Sequence, residues 1–179
     1  VYRMPTALRL AYNKAAIAIG VAKGSLEVFA DIAQNKIPML TSASLANRGI
    51  AQYRMGVAEA TFRASRAWLM ETMTAVEDEL TGNSDLPGAK TTQDARLACT
   101  HAANECMKVV DLLHNTAGTT GMRTYSPLER KLRDSHGAAT HRWVAHPLYE
   151  DLGKILLGIE AGPEFAGGAG TPIGPPGPK

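Results

Sequence analysis

The chain has 179 residues, of which 45% are apolar and 20% are charged, and it carries a net charge of +2. These values are typical of one globular domain that is long enough to bury a sizeable core. The small charge does not favour nucleic acid or an anionic membrane as a partner. The most apolar short stretch, residues 15–22, is far shorter than the roughly 18 residues needed to cross a bilayer, so we also expect no membrane-spanning segment.

The two cysteines, Cys99 and Cys106, are seven residues apart in a helical pattern. This spacing puts them on one helix face about 10 Å apart along the axis, which is too far for a disulfide between them. We interpret both as small buried hydrophobic residues in a reducing compartment, and we expect a cytoplasmic protein. Arg9 and Lys14 interrupt the apolar N-terminal region, which does not fit a signal peptide.

The first segment with helical periodicity runs from about Thr6 to Asn35. Pro5 suits the opening of a helix, because its missing N–H costs nothing there. Most of the segment is apolar apart from one polar stripe at a spacing of four, formed by Lys23, Glu27 and Asp31. Such a helix is expected in the middle of a bundle, where its glycines let neighbouring helices approach closely.

Two further helices are predicted from apolar seams, one over Leu45–Leu80 and one from Thr91 or Thr92 to the glycine turn after Ala117. The seam of the first alternates spacings of four and three, which is the packing pattern of left-handed bundles. Its members are Ala51, Met55, Ala58, Phe62, Ser65, Leu69, Thr72 and Val76. The seam of the second is formed by Ala95, Cys99, Ala102, Cys106, Val109, Val110 and Leu113.

The strongest local signal is the run Ser126-Pro127-Leu128-Glu129. It combines an N-cap serine, proline at the first helical position and glutamate three residues after the cap. The pattern predicts a fourth helix that continues to His146, is kinked at Pro147 and extends one or two turns further to Leu157.

No segment alternates with period two for long enough to form a strand, so the predicted fold class is all-α. We expect an antiparallel four-helix up-and-down bundle over residues 1–160. Residues 161–179 are rich in glycine and proline and predict a disordered tail. The chain begins at Val1 and not at a methionine, which we interpret as a piece of a longer protein.

The five histidines do not form a metal-binding or nucleophilic motif. His136, His141 and His146 recur every five residues, so they fan around a helix and do not share a face. The contiguous run Asp134-Ser135-His136 puts its side chains on different faces, whereas catalytic triads are assembled from separate elements. We therefore expect no metal site.

Three blocks of the sequence carry a resemblance to a known family. The first is Tyr12–Leu26, the second is Ala51-Gln52-Tyr53 with Val57-Ala58-Glu59-Ala60, and the third extends from Ala117-Gly118 to Arg133-Asp134. In this order and spacing they resemble the C-terminal domain of the acyl-CoA dehydrogenase superfamily. The resemblance is greatest to its flavin-dependent monooxygenase branch, which includes dibenzothiophene monooxygenase and the oxygenase components of two-component phenol hydroxylases.

The resemblance implies a complete protein with an N-terminal helical domain and a middle β-barrel domain, neither of which is in this chain. It implies FAD or FMN bound between the barrel, this bundle and the bundle of a neighbouring subunit. It also implies a homo-oligomer built as a dimer of dimers, a small-molecule substrate and a separate flavin reductase. The chain on its own is expected to be inactive.

The resemblance also assigns a catalytic role to His141. True acyl-CoA dehydrogenases carry a glutamate base further along this helix, but here Arg133 and Asp134 are followed by no glutamate before Glu150. The monooxygenase branch has a histidine where His141 stands, and a pKa near neutrality suits proton transfer. The alternative is a packed or solvated histidine without chemistry. We interpret Arg133 and Asp134 as an ion pair that fixes the helix.

Cofactor binding is assigned by the same resemblance to Gln52 and to the turn of Ala117, Gly118 and Thr119. Small residues at such a turn let a phosphate approach the backbone N–H groups. A plain helix-ending turn and a solvated glutamine are equally compatible with these residues.

The favoured function is therefore the C-terminal flavin-site and oligomerisation domain of a flavoprotein oxidoreductase, a flavin-dependent monooxygenase. Two alternatives remain. One is a domain of a true acyl-CoA dehydrogenase, and the other is a non-catalytic helical bundle that only oligomerises. Flavin binding by the full-length protein separates the last alternative from the other two.

Overall fold

The computed structural model describes residues 3–82 and 85–161, and within these ranges the chain is helical and contains no strand. Its α-helices are α1 (Thr6–Asn35), α2 (Gly49–Thr81), α3 (Ala89–Ala117), α4 (Pro127–Ala139) and α5 (Leu148–Leu156). Residues Leu45–Asn47 and Gly118–Thr120 form single 3-10 turns. The prediction of an all-α fold is confirmed, whereas the predicted tail beyond residue 161 lies outside the described residues.

Helix α3 occupies the centre of the molecule and packs against α1, α2, α4 and α5. Most of its buried positions are small, which brings the neighbouring helix axes close together. Both cysteines are among them, and burial raises the pKa of the Cys99 and Cys106 thiols to about 12. The buried residues of α3 are Ala95, Arg96, Ala98, Cys99, Thr100, Ala102, Ala103, Asn104, Cys106, Val109, Val110, Leu113 and Ala117.

The C-terminal ends of α1 and α3 lie together with the start of α2. Lys36, which follows α1, donates from Nζ to the carbonyl oxygen of Ala117 over 2.6 Å. Arg54 in the second turn of α2 donates to the Thr116 hydroxyl over 3.3 Å. The predicted bounds of α1, Thr6 to Asn35, agree with the structure. The helix predicted from Leu45 begins only at Gly49, because Arg48 has an extended backbone.

Helix α4 packs along α1 with Gly24 opposite Lys131. A Cβ atom on Gly24 would overlap the Lys131 ammonium group, so this glycine does permit a close approach. Nothing described in the chain lies within 4 Å of a Cβ built on Gly20, and close packing within this chain therefore does not explain that residue. Further along α1, Val28 and Ile32 line a cleft with Pro127 at the start of α4.

Two opposite faces of α2 are apolar. The predicted seam is confirmed, since seven of its eight members are buried and Met55 is half-buried. A second apolar stripe faces away from the rest of the chain, and all its members are exposed. They recur at spacings of three and four and are Ile50, Tyr53, Val57, Ala60, Ala64 and Ala67. We call these six residues the α2 stripe.

Helix α4 is shorter than predicted. Its start is as expected, with Pro127 at the first position and the Ser126 hydroxyl accepting from the Leu128 N–H over 3.3 Å. It ends at Ala139 and not at His146, and its last residues include Gly137, a poor helix former. Thr140 then caps the helix by donating from its hydroxyl to the carbonyl of His136 over 2.8 Å.

A buried asparagine holds the segment that follows α4. The amide of Asn104 in α3 donates to the carbonyl of Thr100 over 2.8 Å and to that of Val144 over 2.9 Å. Beyond this point α5 lies on α3, with Leu148 and Leu152 buried and Tyr149 Oη 3.3 Å from His101 Nδ1. No helix in the described ranges is long and apolar enough to cross a membrane.

Replacement of Asn104 by alanine is expected to destabilise the fold by about 1–3 kcal/mol, because it leaves the buried Val144 carbonyl without its donor. Urea unfolding followed by circular dichroism measures this change. Asn115→Ala is the matched control, since Asn115 lies on the same helix with an exposed side chain. Equal stability of the two variants would contradict the role given to Asn104.

Candidate functional site

His141 is held in a tight turn just after α4. Its backbone N–H donates to the carbonyl of Ala138 over 3.3 Å, and its own carbonyl accepts from the N–H of Val144 over 2.9 Å. The imidazole Nδ1 accepts from the N–H of Trp143 over 3.4 Å. This contact makes Nδ1 the acceptor, so in the neutral ring Nε2 carries the proton. Nε2 has no hydrogen-bond partner in the described part of the chain.

The surroundings of His141 favour the neutral imidazole. Burial lowers the pKa of His141 below its ordinary value, and the positive charges of Lys14 and Arg142 lower it further. A neutral ring at physiological pH presents Nε2–H as a hydrogen-bond donor. The position is therefore suited to stabilising a developing oxyanion.

Trp143 fixes the turn from the other side. The ring is almost fully buried, with the guanidinium of Arg142 4.8 Å and that of Arg96 5.3 Å from its centroid. Cations over the face of an indole are attracted by its negative π surface. Together with the Asn104 bond to Val144, this stacking gives His141 a rigid support.

The predicted cofactor turn has a backbone that favours glycine. Gly118 has φ +59° and ψ −144°, a region that side-chain-bearing residues avoid at a cost of about 1–3 kcal/mol. A Cβ atom there would lie 3.5 Å from Lys36 Nζ, the ammonium that also binds the Ala117 carbonyl. The Gly118 N–H itself donates to the carbonyl of Asn115, so the feature of this turn that suits a phosphate group is the positive charge of Lys36 beside it.

Gln52 lies at the same end of the molecule as this turn, at the start of α2. Its side chain is exposed, and Nε2 donates to the carbonyl of Ala46 over 3.0 Å. Thr119 is exposed on the turn itself. A cleft of about 420 Å³ opens beside the turn between α1 and the start of α4. It is lined by Glu27, Val28, Asp31, Ile32, Thr120, Tyr125, Ser126 and Pro127.

The structure does not bring His141 together with the predicted cofactor residues. Gln52 and residues 117–119 share the end of the bundle marked by Lys36, whereas His141 lies at the level of Lys14. These two lysines are 22 positions apart along α1, which corresponds to about 33 Å at the helical rise. The predicted residues therefore form two separate groups within one chain.

Other residues named in the sequence analysis pair differently from the prediction. Arg133 forms a bidentate pair with Glu129, at 2.8 and 3.0 Å, and not with Asp134. Asp134 lies 3.5 Å from Arg130. The Glu129 carboxylate therefore binds Arg133 on the helix surface and does not complete a capping box with Ser126.

His136 also has a structural partner, since its Nε2 is 2.8 Å from a carboxylate oxygen of Asp111. Ser135, next to it in the sequence, is buried and donates to the carbonyl of Leu132 over 2.8 Å. The contiguous run is therefore not a triad. No group of three or more potential metal ligands forms within residues 3–82 and 85–161.

Two lysines near the candidate residues were not indicated by any sequence pattern. Lys36 is a loop residue 81 positions from its partner Ala117, and Lys14 lies on α1 outside its polar stripe of Lys23, Glu27 and Asp31. Their relation to the turn and to His141 depends on how α1 packs against α3 and α4. Only the tertiary structure supplies that information.

The chain belongs to a known family. The model of the acyl-CoA dehydrogenase C-terminal domain matches residues 12–146, which include both groups of candidate residues. The resemblance carried by the three sequence blocks is thereby confirmed.

Relatives and solved structures extend this result. The indole-3-acetate monooxygenase of Acinetobacter baumannii is 32% identical over 149 residues, which cover 83% of this chain and 38% of that protein. The 3-HSA hydroxylase of Rhodococcus sp. RHA1 has a similar fold, with a TM-score of 0.81 at 18% identity over 92% of this chain and 43% of that one. XiaF from Streptomyces sp., solved in complex with FADH2 and glycerol, gives a TM-score of 0.77 at 18% identity over 87% and 39%. The chain thus spans well under half the length of the proteins it matches.

His141 is expected to titrate below pH 6.5, because burial and two nearby cations disfavour its charged form. Its contribution to stability should be present above the unfolded pKa and be lost as the pH falls through the lower folded value. NMR titration of the imidazole signals measures the midpoint. Lys14→Met should raise it by removing one cation, and Lys23→Met, two turns further along α1, should not. A midpoint at or above 6.5 would contradict this account.

Proposed function

We propose that this chain is the C-terminal helical bundle of a larger flavin-dependent monooxygenase. Membership of the family supports the bundle and the larger protein, because the chain covers only 38% of its curated relatives. The 32% identity to a protein named indole-3-acetate monooxygenase supports the reaction class and a small aromatic substrate. We assign residues 1–160 to the bundle domain.

The observation that carries this proposal is the half-buried imidazole of His141, whose pKa is lowered by burial, in the region where a dehydrogenase needs a carboxylate base. The next glutamate along the chain, Glu150, is exposed and pairs with Lys154 over 2.8 Å. An exposed carboxylate bound to a cation is a weak base, since the ion pair favours its charged form. The alternative of a true acyl-CoA dehydrogenase therefore has no supporting residue in this segment.

His141 would act through Nε2. Bound flavin would supply the activation of oxygen, while the residues of this chain control protons and position. With Nδ1 accepting from the Trp143 N–H, the neutral ring presents Nε2–H, which can donate a hydrogen bond to an oxyanion that develops during the reaction. The stacking of Arg96 and Arg142 on Trp143 keeps the turn that carries the ring in place.

The flavin, FAD or FMN, would be held partly by the turn of Ala117, Gly118 and Thr119, with Gln52 on the same side. The Lys36 ammonium beside Gly118 would add a positive charge for a phosphate. Because this group lies about 33 Å from the level of His141, one copy of the chain would supply the turn and another would supply His141 to the same flavin. This arrangement supports a cofactor shared between subunits.

We further propose that the protein is a homo-oligomer, with a dimer of dimers as the expected assembly. The α2 stripe supports this, because its spacing of three and four is that of a helix seam and all six residues are exposed in the single chain. Within the chain, helix ends that lie together support an antiparallel up-and-down arrangement of α1 to α4. A separate reductase would supply reduced flavin, and a cytoplasmic location would suit its two buried free thiols.

The full reading frame, supplied with reduced flavin and oxygen, is expected to hydroxylate a small aromatic compound such as indole-3-acetate. His141→Ala should lower kcat by about a hundredfold or more, since a positioned hydrogen-bond donor to an oxyanion contributes that much. Stopped-flow spectroscopy measures the reaction of reduced flavin with oxygen, and product analysis measures the hydroxylation. Full activity in this variant would show that the role given to His141 is wrong.

His136→Ala is the matched control, because His136 lies on α4 with an exposed ring and a surface partner. It should retain most of the activity. Oxygen-independent desaturation of an acyl-CoA would instead favour the dehydrogenase alternative. Absence of flavin binding, with oligomers still formed, would favour the non-catalytic bundle.

Tyr53→Glu is expected to shift the protein to smaller assemblies, because it places a charge in the middle of the α2 stripe. Analytical ultracentrifugation measures the mass in solution. Arg66→Gln, which changes the charge by the same amount on an exposed position outside the stripe, should leave the assembly unchanged. An unchanged mass in Tyr53→Glu would exclude the stripe as a subunit interface.

A further inference from the structure

The packing of α4 on α1 places Lys14 at the level of His141. Gly24 and Lys131 face each other across this antiparallel pair. Lys14 is ten residues back along α1, about 15 Å from that contact, and α4 continues eight residues forward from Lys131, about 12 Å in the same direction, to end two residues before His141. The lowering of the His141 pKa by Lys14 agrees with this register.

Lys14 also lies close to the α1 face that meets α4. It precedes Val28 by fourteen residues, two heptads, and residues at that spacing share nearly one side of a helix. Val28 lines the cleft against the start of α4. The Lys14 side chain is half-buried, and no acidic side chain in the described ranges pairs with it.

A lysine ammonium without an acidic partner can bind an anion through charge-assisted hydrogen bonds, which are stronger than neutral ones. Beside it, the neutral His141 presents Nε2–H as a further donor, since Nδ1 is occupied by the Trp143 N–H. One positive charge and one neutral donor on adjacent elements match the two oxygens of a carboxylate.

Resting on the proposed function, we propose that Lys14 is a specificity-determining residue that binds a carboxylate on the substrate next to His141. The site selects an aromatic carboxylic acid over its neutral analogues. Lys14 binds the acid group of the substrate. This contact sets the distance between the ring to be oxidised and the Nε2–H donor of His141. No covalent step involves Lys14.

A flavin phosphate is the other source of an anionic oxygen. It is the less favoured one, because the Gly118 turn at the far end of α1 already has the Lys36 ammonium beside it. The two sources predict different losses when Lys14 is neutralised. A carboxylate site changes the binding of the acid, whereas a phosphate site changes the binding of flavin.

The test measures equilibrium binding of indole-3-acetate and of indole-3-acetamide to the full-length protein by isothermal titration calorimetry. The amide replaces the carboxylate by a neutral group of nearly the same shape. The wild type should bind the acid at least about tenfold more tightly than the amide, the effect of one charge-assisted hydrogen bond. Lys14→Met should abolish this preference while binding of the amide changes by less than about twofold.

Lys14→Arg should keep the preference, and Lys23→Met, an exposed lysine on the same helix, should behave as the wild type. Thermal melting checks that each variant is folded. A preference for the acid that persists in Lys14→Met overturns the proposal, as does a wild type that binds neither compound. Loss of flavin affinity in Lys14→Met with the preference intact assigns the anion to flavin and also overturns it.

Turnover with reduced flavin and oxygen decides the proposed function separately. If the protein prefers the acid through Lys14 but forms no oxygen-dependent product, the carboxylate site stands and the proposed monooxygenase function is wrong. If it hydroxylates both indole-3-acetate and its amide and binds them with equal affinity, the monooxygenase function stands and the carboxylate site is wrong.

Discussion

The close burial of α3 is the constraint on which the rest of the molecule depends. Four other helices pack against it, which is possible because alanine and cysteine occupy most of its buried positions. The polar residues in the same helix satisfy one another locally, since the Thr100 hydroxyl donates to the carbonyl of Arg96 over 3.0 Å and Asn104 donates to that of Thr100. A larger side chain at Ala98 or Ala102 would separate the helices and displace both groups of candidate residues.

Asn104 connects this core to the candidate chemistry. Its second hydrogen bond ends at Val144, three residues after His141, and it fixes the turn that aims the imidazole. The helix that was expected to continue through His141 stops instead at Ala139. A histidine in a tight turn can present Nε2 outward from the bundle, where a cofactor or substrate would have access to it.

The helices could largely be predicted from the sequence, because their seams repeat with helical spacing. The seams of α2 and α3 and the bounds of α1 agree with the structure. The end of α4 could not be predicted, because Leu132, Ala139 and Trp143 continue the helical spacing while the bond that interrupts it comes from Asn104, 40 positions away.

The candidate site was predictable in part. The residues at the Gly118 turn and His141 could be identified by resemblance, but their separation follows from the packing of α1, which sequence spacing does not reveal. Lys14 and Lys36 have no local signal of their own. Each lysine lies beside a candidate residue from a distant part of the sequence. Only the folded chain therefore places Lys14 beside His141 and Lys36 beside the turn.

Helix α1 has one further consequence, for the tolerance of this protein to insertions and deletions. Lys14 lies in the third turn of α1 and Lys36 directly follows its last residue, so a continuous helical segment separates the two lysines, each beside a different group of candidate residues. One inserted residue between them would rotate one end by about 100° relative to the other and lengthen the helix by about 1.5 Å. Substitutions on the exposed side of α1 leave this geometry unchanged. The length of α1 therefore fixes the spacing of the two lysines. Only insertions or deletions of whole heptads between them would preserve the relative direction of their side chains.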